Sequence, residues 1–365
     1  MATRSKLSSP IFKAVHPGEI LREELKERGI KQKDFANSIG MQKSHLSEIL
    51  TGNRSITPQV GDKLEQQLNI PSVDWLNLQN QYDYDVRCLK ERNIAEQEAI
   101  NKLNEYNKIF DVHILLKRLH ITDTSSPEKL KIIVNRCNIK PVAEMQLLCE
   151  GAYKKSEKTG TDNRMLMTWM LLAHAASKSI NVSGVYNQTD IHKLVGELCC
   201  IFHQNTNTLE KVSKKLSEYG IKFCVVEKVN KSSVDGYSFF DNGVPTIIIT
   251  KRYNRIDNLA FTVLHEIKHI FSDLIESSNY SHIQIENYSR KNKEEIEADS
   301  FAANALIPNE KWKEAPAVKM NSFQIQKDYS RWALSNHFNK WIVLGRISYE
   351  TGMYKFKNDG TRVIR

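Results

Sequence analysis

Residues 255–274 read "RIDNLAFTVLHEIKHIFSDL". His265 and His269 stand four residues apart in an apolar run, so on a helix both imidazoles leave one face and can converge on one cation. Glu266 is placed beside them to take a proton from water at that cation. Two histidines leave a tetrahedral ion short of protein ligands, and "KEEIEADSFAANALIP" (293–308) offers more. Glu295 is selected as third ligand because Asp299, four residues on, shares its face and can accept the second N–H of His265. Glu294 remains a rival, and Ala298 and Ala302 keep the face narrow enough for close helix packing. The His/His/Glu set suits zinc and accommodates manganese. The competing accounts are an accidental match on an amphipathic helix and a solvated acidic helix start.

Working outward, the period changes to that of strands in "KFCVVEKV" (222–229), "GYSFF" (236–240) and "PTIIIT" (245–250), with the turn "DNG" before the last. A small sheet therefore precedes the metal helix, a placement that suits an extended peptide added at a sheet edge. Residues 81–207 read as mostly helical. There Leu89, Ile94, Ile100, Leu103 and Ile109 do not hold strict heptad register, which favours packing on a neighbouring domain over a dimerising coiled coil. "RMLMTWMLLAHAASKSI" (164–180) is apolar nearly all round, which marks a buried helix with His174 as a core histidine.

The first eighty residues resolve into four short amphipathic helices of a five-helix-type domain, punctuated by Gly29, Gly40 and Gly52 and by Pro58 after Thr57. The pair joined at "SIGMQKS" (38–44) has the shape of a helix-turn-helix. Gln42, Lys43, Ser44, His45 and Ser47 would reach base edges, while Gln32, Lys33, Asn53 and Arg54 suit phosphates. A plain helical bundle with a solvated face is the alternative.

Composition sets bounds on these readings. The chain has 365 residues, enough for two or three domains, and it is 26% charged and 40% hydrophobic. No apolar run has the length of a membrane span, and the opening residues lack a signal-peptide pattern, so we expect a cytoplasmic protein without a membrane partner. The six cysteines form no CxxC pair and read as buried thiols. The net charge is +9, but residues 1–80 carry eleven Lys/Arg against nine Asp/Glu, whereas 311–365 carry eleven against four. The excess is in the tail, so charge alone does not argue for DNA. Trp332, Phe338, Trp341 and Tyr349 in that basic tail offer a single-stranded nucleic-acid surface; core packing is the competing account.

The N-terminal segment resembles the XRE/Cro family of helix-turn-helix domains, and "HPGEILREEL" (16–25) with "TGNRSITPQV" (51–60) is similar to HigA-type addiction-module antitoxins. That resemblance implies a homodimer on a palindromic double-stranded operator. The reading helix, "MQKSHLSEIL" (41–50), departs from the "SRQTLSRLL" expected of that type, so no operator sequence carries over. Farther on, "KRYNR" (251–255), "DNLAFTVLHEIKHIF" (257–271), "EEIEADSFAANALIP" (294–308) and "WIVLGRISYETGMYK" (341–355) resemble the ImmA/IrrE metallopeptidases. This second resemblance implies a gluzincin-like site with His265, His269 and Glu295 as ligands and Glu266 as base, in a bacterial or phage-encoded protein that cleaves helix-turn-helix repressors or related partners. Lys268 replaces the glycine of "HELGH" and should point away from the ion.

The expected architecture is α+β and mostly helical. Residues 1–80 form a helix-turn-helix DNA-binding domain, 81–207 a helical packing region, and 208–365 a zincin-like domain with a basic tail. The expected function is a regulator whose zinc endopeptidase cuts a repressor-type protein, an antitoxin or toxin, or the chain itself. The alternative is a non-proteolytic repressor whose C-terminal half senses a ligand or toxin.

Overall fold

The computed structural model describes residues 13–146, 162–232, 234–250, 253–272, 281–285, 293–318 and 321–365, and its contacts divide into two units, Met1–Ala99 and Ile100–Arg365.

In the first unit, α1 (Pro17–Glu27), α2 (Gln32–Ser38), α3 (Lys43–Leu50) and α4 (Pro58–Leu68) are followed by the long α5 (Ser72–Asn107). Their apolar stripes meet in one core of Leu21, Phe35, Leu46, Ile49, Leu64 and Trp75. Proline opens α1 and α4, and Thr57 caps α4 by accepting from Val60 N–H. Gly29 and Gly40 take the left-handed conformation that ends α1 and α2. A subtler constraint lies in "HPG". His16 is buried, burial lowers its pKa, and its Nδ1 accepts from Gly18 N–H at 3.0 Å, capping α1 as a neutral acceptor. A Cβ on Gly18 would fall 1.7 Å from the carbonyl oxygen of Ile49, so only glycine lets α1 press against the end of α3.

The sequence-based boundary at residue 80 falls inside α5. Trp75 fills the core of the first unit, and the buried Gln79 side chain accepts from Ile56 N–H at 2.9 Å, so the opening turns of α5 belong to this unit. The contact division comes at Ala99.

The second unit is a sheet covered on both faces. Along the chain come α6 (Val112–Arg118), α7 (Ser126–Cys137), α8 (Asn163–Ser177), α9 (Ile191–Gln204) and α10 (Thr208–Glu218). Then follow β1 (Lys222–Val225), β2 (Val234–Asp241), β3 (Val244–Ile249), α11 (Ile256–Phe271) and β4 (Ser281–Ile285). The chain continues with α12 (Lys293–Leu306), α13 (Asn309–Trp312), α14 (Ser322–Ser335) and α15 (Lys340–Thr351). Strand order is β1-β3-β2-β4, with β1 parallel to β3 and the other pairs antiparallel. The β2–β3 hairpin turns on Asn242 and Gly243, both at positive φ, as a two-residue turn demands. The expected strands are all present; β4 was not foreseen.

Alternation along the strands separates two cores. Ile247 and Ile249 of β3 face α11, α9 and α10, whereas Ile248, with Tyr237 and Phe239 of β2, faces α6, α7 and α8. The apolar α8 is buried there, and its half-buried His174 meets Tyr237 Oη through Nε2 at 3.1 Å. Burial brings the His174 pKa down to about 4, so it is a neutral packing residue.

The basic tail is largely structural. Arg362 makes a paired contact with Asp257 at the start of α11 (2.9 and 3.2 Å), and Arg255 holds the same carboxylate. Burial alone would raise the Asp257 pKa, but the two guanidiniums outweigh it and hold the group ionised. Trp341 is buried and donates to Thr361 Oγ1 at 2.8 Å, Trp332 and Phe338 pack on the α11-side core, and Tyr349 is exposed. Of the thiols expected to be buried, Cys137 is buried and Cys200 is exposed; Cys149 lies outside the described residues.

Gly18→Ala should lower the stability of the first unit by about 1–3 kcal/mol or more, because the added methyl has no room. Gly196→Ala, in open space on α9, should instead raise the stability of the second by up to about 1 kcal/mol. Urea unfolding followed separately for the two units checks both signs.

Candidate metal centre and nucleic-acid interface

The close contact of α11 with α12 positions the metal candidates. Ala298 and Ala302 are fully buried, and such small side chains let the two helix backbones approach. His265 and His269, one turn apart on α11, bring their Nε2 atoms to 3.0 Å. Glu295 on α12 brings Oε2 to 3.3 Å from His265 Nε2, and one ligand atom from each of the three residues falls within 4.8 Å of the others. Ligands about 2.0–2.1 Å from a tetrahedral ion stand roughly 3.3 Å apart, and the two separations from His265 Nε2, 3.0 and 3.3 Å, lie close to that spacing. Glu294 and Glu297 are exposed, whereas Glu295 is 2% exposed.

Asp299, one turn beyond Glu295, meets His265 Nδ1 at 2.9 Å. An ionised carboxylate only accepts, so Nδ1 carries the proton and Nε2 is the nitrogen turned toward His269 and Glu295. Burial opposes a second proton on His265. The bonds to Asp299 and Glu295 overcome that opposition and raise its pKa to about 9.

Glu266 is fully buried, on the sheet side of α11. Its Oε2 accepts from the Ser238 hydroxyl of β2 at 2.5 Å. A Cβ on Gly236 would lie 2.4 Å from Oε1, so glycine there makes room for the carboxylate. The β2–β4 register shifts between Val234 and Gly236, a bulge beside this contact. Sequence reading missed both Gly236 and Ser238. The signal was present in "GYSFF", where alternate residues must face the helix that follows. Lys268 donates to the Ser272 hydroxyl at the end of α11.

On the first unit, Gln42 is the residue before α3, and Lys43, Ser44 and Ser47 are exposed on that helix. His45 is half-buried, which weakens its fit to base contact. Gln32 and Lys33 are exposed at the start of α2. Arg54 is paired with Glu48 at 2.7 Å, and Asn53 donates to Thr51 Oγ1 at 3.0 Å, so both are held locally. Among the described residues no helix is long and apolar enough to cross a membrane.

Residues 21–75 match a family model described as Helix-turn-helix. The chain is 38% identical over 71 residues to virulence-associated protein I of Dichelobacter nodosus, covering 19% of this chain and 66% of that protein. It is 36% identical over 64 residues to the uncharacterized HTH-type transcriptional regulator YddM of Escherichia coli (strain K12), covering 18% and 68%. Among solved structures it is similar to an addiction module antidote protein of a HigA family from Coxiella burnetii, at 32% identity and a TM-score of 0.22, covering 24% of this chain and 96% of that one. The chain thus spans about two thirds of the length of these two curated relatives, and each of these matches covers a quarter of it or less. Through its N-terminal unit, the chain belongs to the helix-turn-helix family, and that unit is a DNA-binding, transcriptional-regulator module.

Proposed function

We propose that the second unit is a metal-dependent peptidase of the zincin kind, resembling the ImmA/IrrE enzymes, and that the first unit directs the protein to a double-stranded operator. Its target is a repressor-type regulator, an antitoxin or toxin, or the chain itself. The observation that carries this reading is the convergence of His265, His269 and Glu295 beside the buried carboxylate of Glu266. A zinc or manganese ion held by those three residues would polarise the scissile carbonyl and make water more acidic. Glu266 then takes the proton of the attacking water and delivers it to the leaving nitrogen as the C–N bond breaks. Ser238 positions that carboxylate, and Asp299 keeps His265 in the tautomer that faces the ion. A palindromic operator calls for a homodimer, with Gln42, Lys43, Ser44 and Ser47 nearest the bases.

The complete burial of the cluster favours a second reading, a structural ion in a non-proteolytic sensing module. Against it, structural zinc sites use four protein ligands, and three is the catalytic count.

The deciding comparison is wild type against Glu266→Gln. Equal metal content with cleavage of candidate regulators reduced about 10²–10⁴-fold is expected; equal cleavage by both proteins would sink the assignment. Asp299→Ala should weaken metal binding about 10–100-fold without removing a ligand.

Metal affinity should also depend on pH. With the His265 pKa at about 9, the ion must displace a proton at neutral pH. Apparent affinity therefore rises about tenfold per unit from pH 7 to near 9 and then levels. Calorimetry across that range checks the slope.

On DNA, Gln42→Ala with Lys43→Ala should cost about 1–3 kcal/mol at a selected operator and relax its sequence preference. A selection repeated with the double variant reads this out.

A further inference from the structure

Residues 311–365 carry eleven Lys/Arg against four Asp/Glu, and the fold decides where that excess of positive charge comes to rest. All four carboxylates are engaged locally. Lys311 holds Glu314, Lys340 holds Asp359, Arg346 holds Glu350, and Asp328 accepts from the Gln324 amide. Arg362 is committed to Asp257, and Arg365 donates to the Gly360 carbonyl. Lys319 lies outside the described residues. What is left is Lys313, Lys327, Arg331, Lys355 and Lys357, all exposed and without an ion-pair partner among the described residues.

Three of these lie together. Lys327 and Arg331 stand one turn apart on α14, where side chains at i and i+4 are neighbours about 5–6 Å apart at Cβ. The Gln326 side chain accepts from Lys357 N–H at 2.9 Å and donates to the Lys357 carbonyl at 2.7 Å, so the tail is tied to the helix one residue from Lys327. On its inner side α14 is anchored by Ile325, Tyr329 and Ala333, which are buried in the core. The cations therefore stand on a rigid support. Like charges one turn apart cost a helix some stability, and a polyanion relieves that cost.

The first unit brings the chain to such a polyanion, since a DNA duplex carries one negative charge per about 1.7 Å of its length. Contacts from lysine and arginine to phosphate fix position and supply affinity without reading bases.

We propose that Lys327, Arg331 and Lys357 form a second DNA contact, an anchor on the second unit for the phosphate backbone of duplex DNA. It rests on the DNA-binding role of the first unit and is independent of the peptidase reading. Phe323, 71% exposed and one turn before Lys327, marks the rival occupant. Its ring could stack on an unpaired base, whereas a duplex backbone makes little use of it.

The test follows binding of the full chain to a random-sequence duplex of about 40 base pairs, and to one of its single strands, over a series of salt concentrations. Lys327→Ala with Arg331→Ala and Lys357→Ala should flatten the plot of log K against log salt by about 0.9 per lost contact, roughly 2–3 in all, and weaken every duplex sequence alike. Lys327→Arg with Arg331→Lys keeps both charges and should keep the slope. Lys117→Ala with Lys131→Ala and Lys140→Ala removes the same charge from other exposed positions and should leave the slope at the wild-type value. An unchanged slope in the first variant, or an equal fall in the last, overturns the proposal. So does a preference for the single strand that Phe323→Ala abolishes. A wild-type chain that binds no duplex at all removes the DNA-binding role of the first unit, and the anchor with it.

Discussion

Four ionisable side chains, His265, Glu266, His269 and Glu295, are buried together, and buried charge is tolerated only where it is paired. Much of the second unit answers that constraint. Asp299 engages the outer nitrogen of His265, Ser238 engages Glu266, and Gly236 yields the volume the carboxylate needs. The alanines of α12 let the second helix come near enough to contribute Glu295. Remove the close approach of α11 and α12, and the glutamate has no partner for its charge.

The same unit shows how a sheet serves a helix. β2 carries two alternating sets of side chains, one packing on α8 and the other touching α11. Tyr237 and Phe239 fix the strand from behind, so Gly236 and Ser238 meet Glu266 from a rigid support. Precision at the carboxylate thus originates in an aromatic core on the opposite face of the sheet.

How much of this was legible beforehand follows from range. Helical spacing is local, so the pairs His265 with His269 and Glu295 with Asp299 could be read from i to i+4 logic, while the meeting of Asp299 with His265, 34 residues away, followed from the support a metal-bound histidine needs. The strands and the Asn242–Gly243 turn were legible for the same reason. Long-range contacts without such a chemical cue were not: Ser238 to Glu266 spans 28 residues, and Arg362 to Asp257 spans 105. No periodicity encodes such pairs. Residue 80 falls inside α5, because the apolar positions of the first eighty residues mark the helices that share a core but not how far the last helix runs on. The ion pair of Arg54 with Glu48 was likewise not legible, because their six-residue spacing runs past the end of α3.

The clasp between Asp257 and Arg362 also sets an order of events during synthesis. The start of α11 is secured by a residue that emerges 105 positions later, whereas the helix-turn-helix core is complete by the first turns of α5. At translation rates of about 5–20 residues per second, the reading module precedes the finished second unit by on the order of 10–50 s. A nascent chain therefore acquires the means to find DNA well before it acquires the cluster that would give it hydrolytic chemistry.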